Sequence, residues 1–154
     1  MASNSLSDLL YLMARLRDPK DGCPWDQQQS FSTIAPHTLE ECYELIDAIE
    51  TADAPHIKEE LGDLLFQVVF YAQLAEEQGQ FNFEQVVDDL VSKLIRRHPH
   101  VFPAGTLQSR ADNQALATEQ VKHQWESTKV QERQQKQQPA VLDDVPLALP
   151  ALSR

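Results

Sequence analysis

Four carboxylates in two short motifs are the residues of this sequence whose types and spacing point to chemistry. Glu41 and Glu44 lie three positions apart, and so do Glu60 and Asp63. Both pairs fall in segments with a helical pattern, so the members of each pair share one helix face. Carboxylates that crowd together repel one another unless a cation holds them or they take up protons. Because oxygen ligands suit hard ions, two such pairs on neighbouring helices predict a site for Mg²⁺, with Mn²⁺ as a substitute.

The segment around the second pair favours a bound cation. Residues 61–75 are apolar almost all round, which predicts a buried helix. Glu60, Asp63 and Gln67 form one polar stripe along it, and charges on a buried helix need partners. The alternative for either acidic pair is an ordinary solvated helix face.

The composition bounds the class of protein. The chain has 154 residues, is 42% hydrophobic and carries a formal net charge of -11. That charge disfavours nucleic acid and anionic membranes as partners. No apolar run is long enough to span a membrane, and we expect no signal peptide. Because Cys23 and Cys42 resemble reduced thiols rather than a disulfide framework, we expect a cytoplasmic protein.

The apolar periodicity predicts an all-α fold, an antiparallel bundle of four to five helices. The predicted helices cover residues 5–17, 36–51, 55–78, 83–97 and 113–137. Gly79 is expected to end the third helix and Asn82 to cap the fourth. Since the turn between the second and third helices is short, they should form a hairpin that brings the two acidic motifs to the same level. Residues 139–154 are predicted to be an extended tail.

Periodicity also predicts which faces are buried. In the second helix, the apolar side consists of Leu39, Cys42, Leu45, Ile46 and Ile49. In the fourth helix, it consists of Val86, Val87, Leu90, Val91, Leu94 and Ile95. Residues 23–26 are predicted to be a loop. Trp25 in that loop is interpreted as a core residue, with an aromatic wall for a ligand as the alternative.

Two further groups have spacing that suits a phosphate ligand. Lys93, Arg96 and Arg97 close the fourth helix, where they either complement the helix dipole or clamp an anion facing the carboxylates. Trp125 and Lys129 lie one helical turn apart. They either stack a base and contact a phosphate, or they are a packing tryptophan and a solvated lysine.

Together these motifs resemble the MazG-like family of all-α nucleoside triphosphate pyrophosphohydrolases. The resemblance covers about residues 5–130 and rests on Leu16-Arg17-Asp18-Pro19, Gly22-Cys23-Pro24-Trp25-Asp26, Thr38-Leu39-Glu40-Glu41, Glu60-Leu61-Gly62-Asp63-Leu64-Leu65 and Arg97-His98-Pro99-His100-Val101-Phe102. It is similar to the amino-terminal domain of two-domain members, which implies one MazG-like domain over residues 1–138. The resemblance implies hydrolysis of the bond between the α- and β-phosphates of a nucleoside or deoxynucleoside triphosphate, in a helical homodimer.

The resemblance also implies roles for individual residues. The Mg²⁺ ligands would be Glu41, Glu44, Glu60 and Asp63. The substrate contacts would be Lys93, Arg97, Trp125 and Lys129. Independently of the resemblance, the chemistry calls for a base: a carboxylate that does not bind the ion, either Glu40 or Glu44 in place of its ligand role, would accept the proton of the attacking water.

Two other functions stay open. The chain is either a one-domain protein or the first half of a longer one, and in a longer protein this domain would be either the weaker catalyst or mainly a non-catalytic dimerisation and regulatory module. The second alternative is a ferritin-like carboxylate metal protein, a class that uses Glu-x-x-His pairs. Here His37 with Glu41 and His56 with Glu60 are the comparable pairs, but both have the reverse order and a spacing of four.

Overall fold

The computed structural model describes residues 3–111 and 117–135, and in these ranges every regular element is a helix. The helices are α1 (Leu6–Leu16), α2 (Pro24–Gln27), α3 (Phe31–Glu50), α4 (Ala54–Glu77), α5 (Phe83–Arg97) and α6 (Thr118–Gln135). The predicted all-α class is therefore confirmed. Within the described residues, no helix combines the length and the apolarity that crossing a bilayer requires.

The chain divides into two compact units, residues 1–88 and 89–154, which are described separately. The single domain over residues 1–138 stays a prediction. The predicted tail, residues 139–154, lies outside the described residues, and so does the predicted start of the last helix at residue 113.

Helix ends follow the local sequence. The Ser5 hydroxyl accepts the Asp8 N–H and the Asp8 carboxylate accepts the Ser5 N–H, a reciprocal capping box at the start of α1. After α4, Gly79 has a φ of 66°. The N–H of Gln80 then donates to the Ala75 carbonyl at 2.9 Å, which closes a Schellman motif. The predicted end of this helix is confirmed.

Two predictions for the segment near Trp25 are wrong, namely the start of α3 and the loop over residues 23–26. α3 begins at Phe31 rather than at Pro36, because the Ser30 hydroxyl caps it by accepting the N–H of Thr33. Pro36 lies inside the helix, where its missing N–H costs one hydrogen bond near the helix start. The segment predicted to be a loop contains one turn of helix, α2, because Pro24 has the φ that suits a first helical position.

The first unit has a core built by α1, α3 and α4. Its buried residues are Met13, Ile34, Val69, Phe70 and Leu74. At the edge of this core, Phe31 stacks on Tyr71 with 5.8 Å between ring centroids. The Tyr71 hydroxyl lies 2.7 Å from the Thr38 hydroxyl, so a polar contact also ties α4 to α3 in the predicted hairpin.

Arg17 fixes the segment that joins α1 to α3. Its side chain is only 7% exposed, and its guanidinium forms two hydrogen bonds to Glu77, at 2.6 and 2.7 Å. It also donates to the backbone carbonyls of Asp26 and Gln29 and lies 5.4 Å from the Phe70 ring centroid. One buried cation thus holds α2 and the end of α4 together.

Several predicted apolar faces are exposed, which corrects the burial predictions. In α4 the exposed residues are Leu61, Leu65 and Val68. In α3 they are Leu39, Ile46 and Ile49, and in α5 they are Val87, Leu90 and Leu94. The predictions were wrong because a helical period shows which face is apolar, not what covers that face.

Candidate functional site

Three of the predicted carboxylates meet between α3 and α4. Glu41 on α3 and Glu60 and Asp63 on α4 each offer one oxygen, and these oxygens all lie within 4.8 Å of one another. Glu60 is buried, Glu41 is half-buried and Asp63 is exposed. The cluster is therefore buried on the side of Glu60 and open to solvent on the side of Asp63. The hairpin brings the two acidic motifs together as predicted.

The crowding shows in the pKa of Glu41. Burial is the largest cause that raises this pKa, and the charges of Asp63, Glu44, Glu60 and Glu40 raise it further, in that order. A proton or a cation would relieve this repulsion. Because all three clustered donors are carboxylate oxygens, the set suits a hard divalent cation rather than a soft one.

The other two acidic residues of the first motif lie at the margin of this cluster. Glu44 is exposed and is not one of the three residues whose oxygens converge, although its charge acts on Glu41. Glu40 is exposed, and its Oε2 lies 3.7 Å from Nδ1 of His37. The metal-ligand role of Glu44 stays a prediction, and so does the choice of Glu40 or Glu44 as the base.

His56 contacts the buried member of the cluster. Its Nε2 lies 2.9 Å from Oε1 of Glu60, one turn further along α4. In the sequence, this pair pointed only to the ferritin-like alternative. Its spacing of four residues was the available signal for the contact, because such residues share a helix face.

In the second unit, the predicted anion clamp is tied to a glutamate. Nη2 of Arg97 lies 2.5 Å from Oε2 of Glu132, and Nη2 of Arg96 lies 2.7 Å from Oε1 of the same carboxylate. These contacts, the Arg97 hydrogen bond above all, lower the pKa of Glu132 to about 2. Lys93 is half-buried on the same helix. The substrate-binding roles of Lys93 and Arg97 stay predictions.

Trp125 and Lys129 also have neighbours within the second unit. The Trp125 ring packs edge to face against His98, with 5.5 Å between centroids. Nζ of Lys129 lies 3.3 Å from Oε1 of Glu126, an exposed pair of the kind that contributes little to stability. Their predicted roles as nucleotide contacts stay predictions.

Trp25 is not the core residue that the sequence favoured. Its side chain is 52% exposed, and its ring faces that of His37 with 5.9 Å between centroids and 68° between planes. A Pro-Trp pair in a short segment predicted packing, but α2 presents the indole outward.

Comparison with known proteins identifies the family. Residues 29–102 match the family model of the MazG nucleotide pyrophosphohydrolase domain. This stretch of the chain is therefore a MazG domain. The matched range contains Glu41, Glu60 and Asp63, so the carboxylate cluster lies inside the MazG domain.

Relatives of known name agree with this assignment. A nucleoside triphosphate pyrophosphohydrolase of Escherichia coli is 52% identical over 151 residues, which are 98% of this chain and 54% of that protein. The nucleoside triphosphate pyrophosphohydrolase/pyrophosphatase MazG of Thermotoga maritima is 44% identical over 146 residues, 95% of this chain and 52% of that protein. The chain therefore spans about half the length of these relatives.

One solved structure supports the fold. The crystal structure of a mazG-related protein from Thermotoga maritima aligns with a TM-score of 0.64 at 24% sequence identity. The alignment covers 81% of this chain and 99% of that one. The all-α MazG-like fold predicted from the sequence is therefore confirmed.

Proposed function

We propose that this MazG domain hydrolyses nucleoside and deoxynucleoside triphosphates to a monophosphate and pyrophosphate, and so removes unwanted nucleotides from the pool. The observation that carries the proposal is the convergence of Glu41, Glu60 and Asp63 within the MazG range. The printed names of the E. coli and T. maritima relatives point to the same reaction.

The cofactor in this proposal is Mg²⁺, with Mn²⁺ as a substitute. Glu41, Glu60 and Asp63 would hold the ion, with Glu44 as the fourth ligand that the family resemblance implies. The fit rests on the donor chemistry: three carboxylate oxygens converge, and burial together with the neighbouring carboxylates raises the pKa of Glu41. A divalent cation supplies charge that offsets the charge developing on the leaving pyrophosphate.

The residues of the chain then accept the proton of the attacking water and position the substrate. Water attacks the α-phosphorus, a new P–O bond forms, and the bond from that phosphorus to the α,β-bridging oxygen breaks. Glu40, or Glu44 where it does not bind the ion, accepts the proton that the water loses. Both are exposed at the margin of the cluster, where solvent and a charged substrate reach them.

The family resemblance also implies substrate contacts by residues of the second unit. Lys93 and Arg97 would neutralise the triphosphate, and Trp125 with Lys129 would contact the rest of the nucleotide. Because Arg96 and Arg97 share Glu132, Arg96 can hold that carboxylate while Arg97 turns to a phosphate.

We propose further that the protein is a cytoplasmic homodimer that does not act on nucleic acid. Leu39, Tyr43 and Ile46 form an exposed apolar stripe on α3, and Leu61, Leu65 and Val68 form another on α4, each with the spacing of one helix face. A hairpin with such stripes suits two-fold packing against its own copy. Sedimentation of the purified protein at the mass of one chain would contradict the dimer.

The free cysteines Cys23 and Cys42 suit a reducing compartment, and the net charge of -11 disfavours nucleic acid as a partner.

The second candidate is a non-catalytic dimerisation or regulatory domain of a longer protein. The exposed stripes on α3 and α4 favour it. In that case nucleotides would bind stoichiometrically without turnover.

A pyrophosphate-release panel over all NTPs and dNTPs with Mg²⁺ separates the two. The catalytic proposal predicts pyrophosphate release that Glu41→Gln or Asp63→Asn lowers by at least a hundredfold. Glu59→Gln, an exposed glutamate of α4 beside the cluster, is the control that removes one charge and keeps activity. Binding without turnover would support the regulatory domain, and release of single phosphate would contradict the catalytic proposal.

A further inference from the structure

A polar contact between α3 and α4 lies one helical turn from the carboxylate cluster, on the side away from the hairpin turn. Thr38 precedes Glu41 by three residues on α3, and Gln67 follows Asp63 by four residues on α4. Each pair therefore shares one face of its helix, about 4.5–6 Å apart along the axis. Because the two helices run antiparallel, both displacements have the same direction. Thr38 and Gln67 thus meet one level beyond the carboxylates.

The Thr38 hydroxyl joins the two helices through hydrogen bonds. It donates to Oε1 of Gln67 at 3.3 Å and lies 2.7 Å from the Tyr71 hydroxyl. It also lies 3.4 Å from the Ile34 carbonyl of its own helix. Gln67 is only 6% exposed, and a buried amide needs such a partner. Thr38, Gln67 and Tyr71 therefore form one connected polar group, which we call the threonine bridge.

The carboxylate cluster needs an element that fixes its two helices. Glu41 on α3 faces Glu60 and Asp63 on α4, and these like charges push the helices apart when no cation is bound. Apolar packing opposes separation, but it is not directional and allows neighbouring helices to slide or rotate. Hydrogen bonds have narrow limits on distance and angle, and a satisfied buried polar network favours one arrangement. The threonine bridge supplies that restraint within one turn of the cluster.

We propose that the threonine bridge is a positioning element for the cation site: it holds α3 and α4 at the separation at which Glu41, Glu60 and Asp63 bind a divalent cation. The hydroxyls and the amide oxygen of the bridge contact one another, so the bridge acts through the helices and not as a further set of ligands. The proposal rests on the proposed function, since it takes the ligand of the cluster to be a divalent cation.

The expected size of the effect follows from other metal sites. Residues outside the ligand set that orient the ligands typically change metal affinity by roughly 10- to 100-fold when they are replaced. Because the bridge acts through the backbone of two helices, we expect the lower end of that range, about tenfold.

Binding of Mn²⁺, followed by the loss of the free-ion signal in electron paramagnetic resonance, tests the positioning role without any turnover. Thr38→Val keeps the shape of the side chain and removes the hydroxyl, and it should weaken Mn²⁺ binding about tenfold. Thr38→Ser keeps the hydroxyl and should bind within about twofold of the parent. Thr51→Val is the matched control, because the Thr51 hydroxyl donates to the Asp47 and Ala48 carbonyls of α3. Parent affinity in Thr38→Val, or an equal loss in Thr51→Val, would overturn the proposal.

Tyr71→Phe tests the bridge from the other helix. It keeps the ring that stacks on Phe31 and removes the hydroxyl, so it should also weaken Mn²⁺ binding. Added to Thr38→Val, it should cause no further loss, because the valine has already removed the hydroxyl that Tyr71 contacts. Additive losses in the double variant would overturn the proposal. If Thr38→Val does not fold, Tyr71→Phe decides alone, and parent affinity in that variant would overturn the proposal.

Two further readouts separate positioning from stability and from the reaction. A lower Tm with unchanged Mn²⁺ affinity in Thr38→Val would show a purely structural role and refute the bridge. In the pyrophosphate assay, Thr38→Val should need about tenfold more Mg²⁺ for half-maximal release, with release at saturating Mg²⁺ within about twofold of the parent. Release with an unchanged Mg²⁺ requirement would refute the bridge and leave the proposed function intact.

The opposite outcome is also distinguishable. Mn²⁺ binding that depends on Thr38, without pyrophosphate release by the parent protein, would refute the proposed function and support the bridge. Absence of Mn²⁺ binding by the parent protein would refute the bridge and the proposed cofactor together.

Discussion

Neutralising Glu41 should stabilise the protein in the absence of divalent cations and remove its response to them. Glu41→Gln deletes two of the three like-charge pairs in the cluster, those with Glu60 and Asp63. At the limiting separation of 4.8 Å, one pair of unit charges repels by about 0.9 kcal/mol at the dielectric constant of water and about 3.5 kcal/mol at an effective value of about 20. Because Asp63 is exposed and His56 contacts Glu60, the lower value applies. The two pairs together then give a gain in unfolding free energy of roughly 1–2 kcal/mol.

Thermal unfolding with a chelator and with Mg²⁺ measures both effects. A gain of that size corresponds to a rise in Tm of roughly 2–8 °C for a chain of this length. The parent protein should gain about 1.4 kcal/mol when free Mg²⁺ is tenfold above its Kd, whereas Glu41→Gln should gain little. Glu59→Gln controls for the loss of one exposed charge. A lower Tm for Glu41→Gln in chelator, or an unchanged Mg²⁺ response, would refute the reasoning, because Glu41 would then be a stabilising contact rather than a repelled ligand.

Three further predictions follow from contacts away from the cluster. Arg17→Met should lower the urea unfolding free energy by about 2–4 kcal/mol, because it removes the guanidinium that pairs with Glu77 and donates to two carbonyls. The folded-state pKa of Glu132 is about 2 against an ordinary 4.5, so its ion pairs stabilise the fold above pH 4.5 and are lost as pH falls towards 2. Glu132→Gln should therefore reduce the acid sensitivity of the urea midpoint. Gly22→Ala should destabilise the folded protein by about 3 kcal/mol, because the added Cβ would lie 2.5 Å from a backbone oxygen. Gly62→Ala should stabilise the folded protein by about 1 kcal/mol, because open space surrounds that helical position.

Each of these predictions has a contrary outcome. If Arg17→Met unfolds at the parent urea concentration, the buried ion pair is not what holds α2 in place. If the parent and Glu132→Gln lose stability equally between pH 5 and pH 2, the low pKa of Glu132 has another origin or is absent. If Gly22→Ala and Gly62→Ala have equal stability in urea, the close approach at Gly22 relaxes without cost.

Local sequence signals predicted the end of α4 and the meeting of the acidic motifs. Gly79 ended α4 because its left-handed φ suits glycine, a property of one residue. Glu41, Glu60 and Asp63 came together because a short turn between two helices leaves them only one compact arrangement, the antiparallel hairpin. Both outcomes depend on neighbours in sequence.

Features that depend on distant partners were not predicted. The contact of Arg97 with Glu132 joins two helices across 35 positions, and no local pattern encodes it. The exposure of Trp25 depends on how Arg17 holds α2, a contact that also spans several elements. The start of α3 was misplaced because the proline signal at Pro36 competed with a serine cap at Ser30, and the cap determined the boundary.

The central claim is that the cluster of Glu41, Glu60 and Asp63 supports hydrolysis at the α-phosphorus of a nucleoside triphosphate. Phosphorus NMR of ATP turnover in water labelled with a heavy oxygen isotope tests it most directly. We expect AMP and pyrophosphate in equal amounts, the label in AMP alone, and no turnover by Glu41→Gln. ADP with orthophosphate, label in the pyrophosphate, or equal turnover by the Glu41→Gln variant would contradict it.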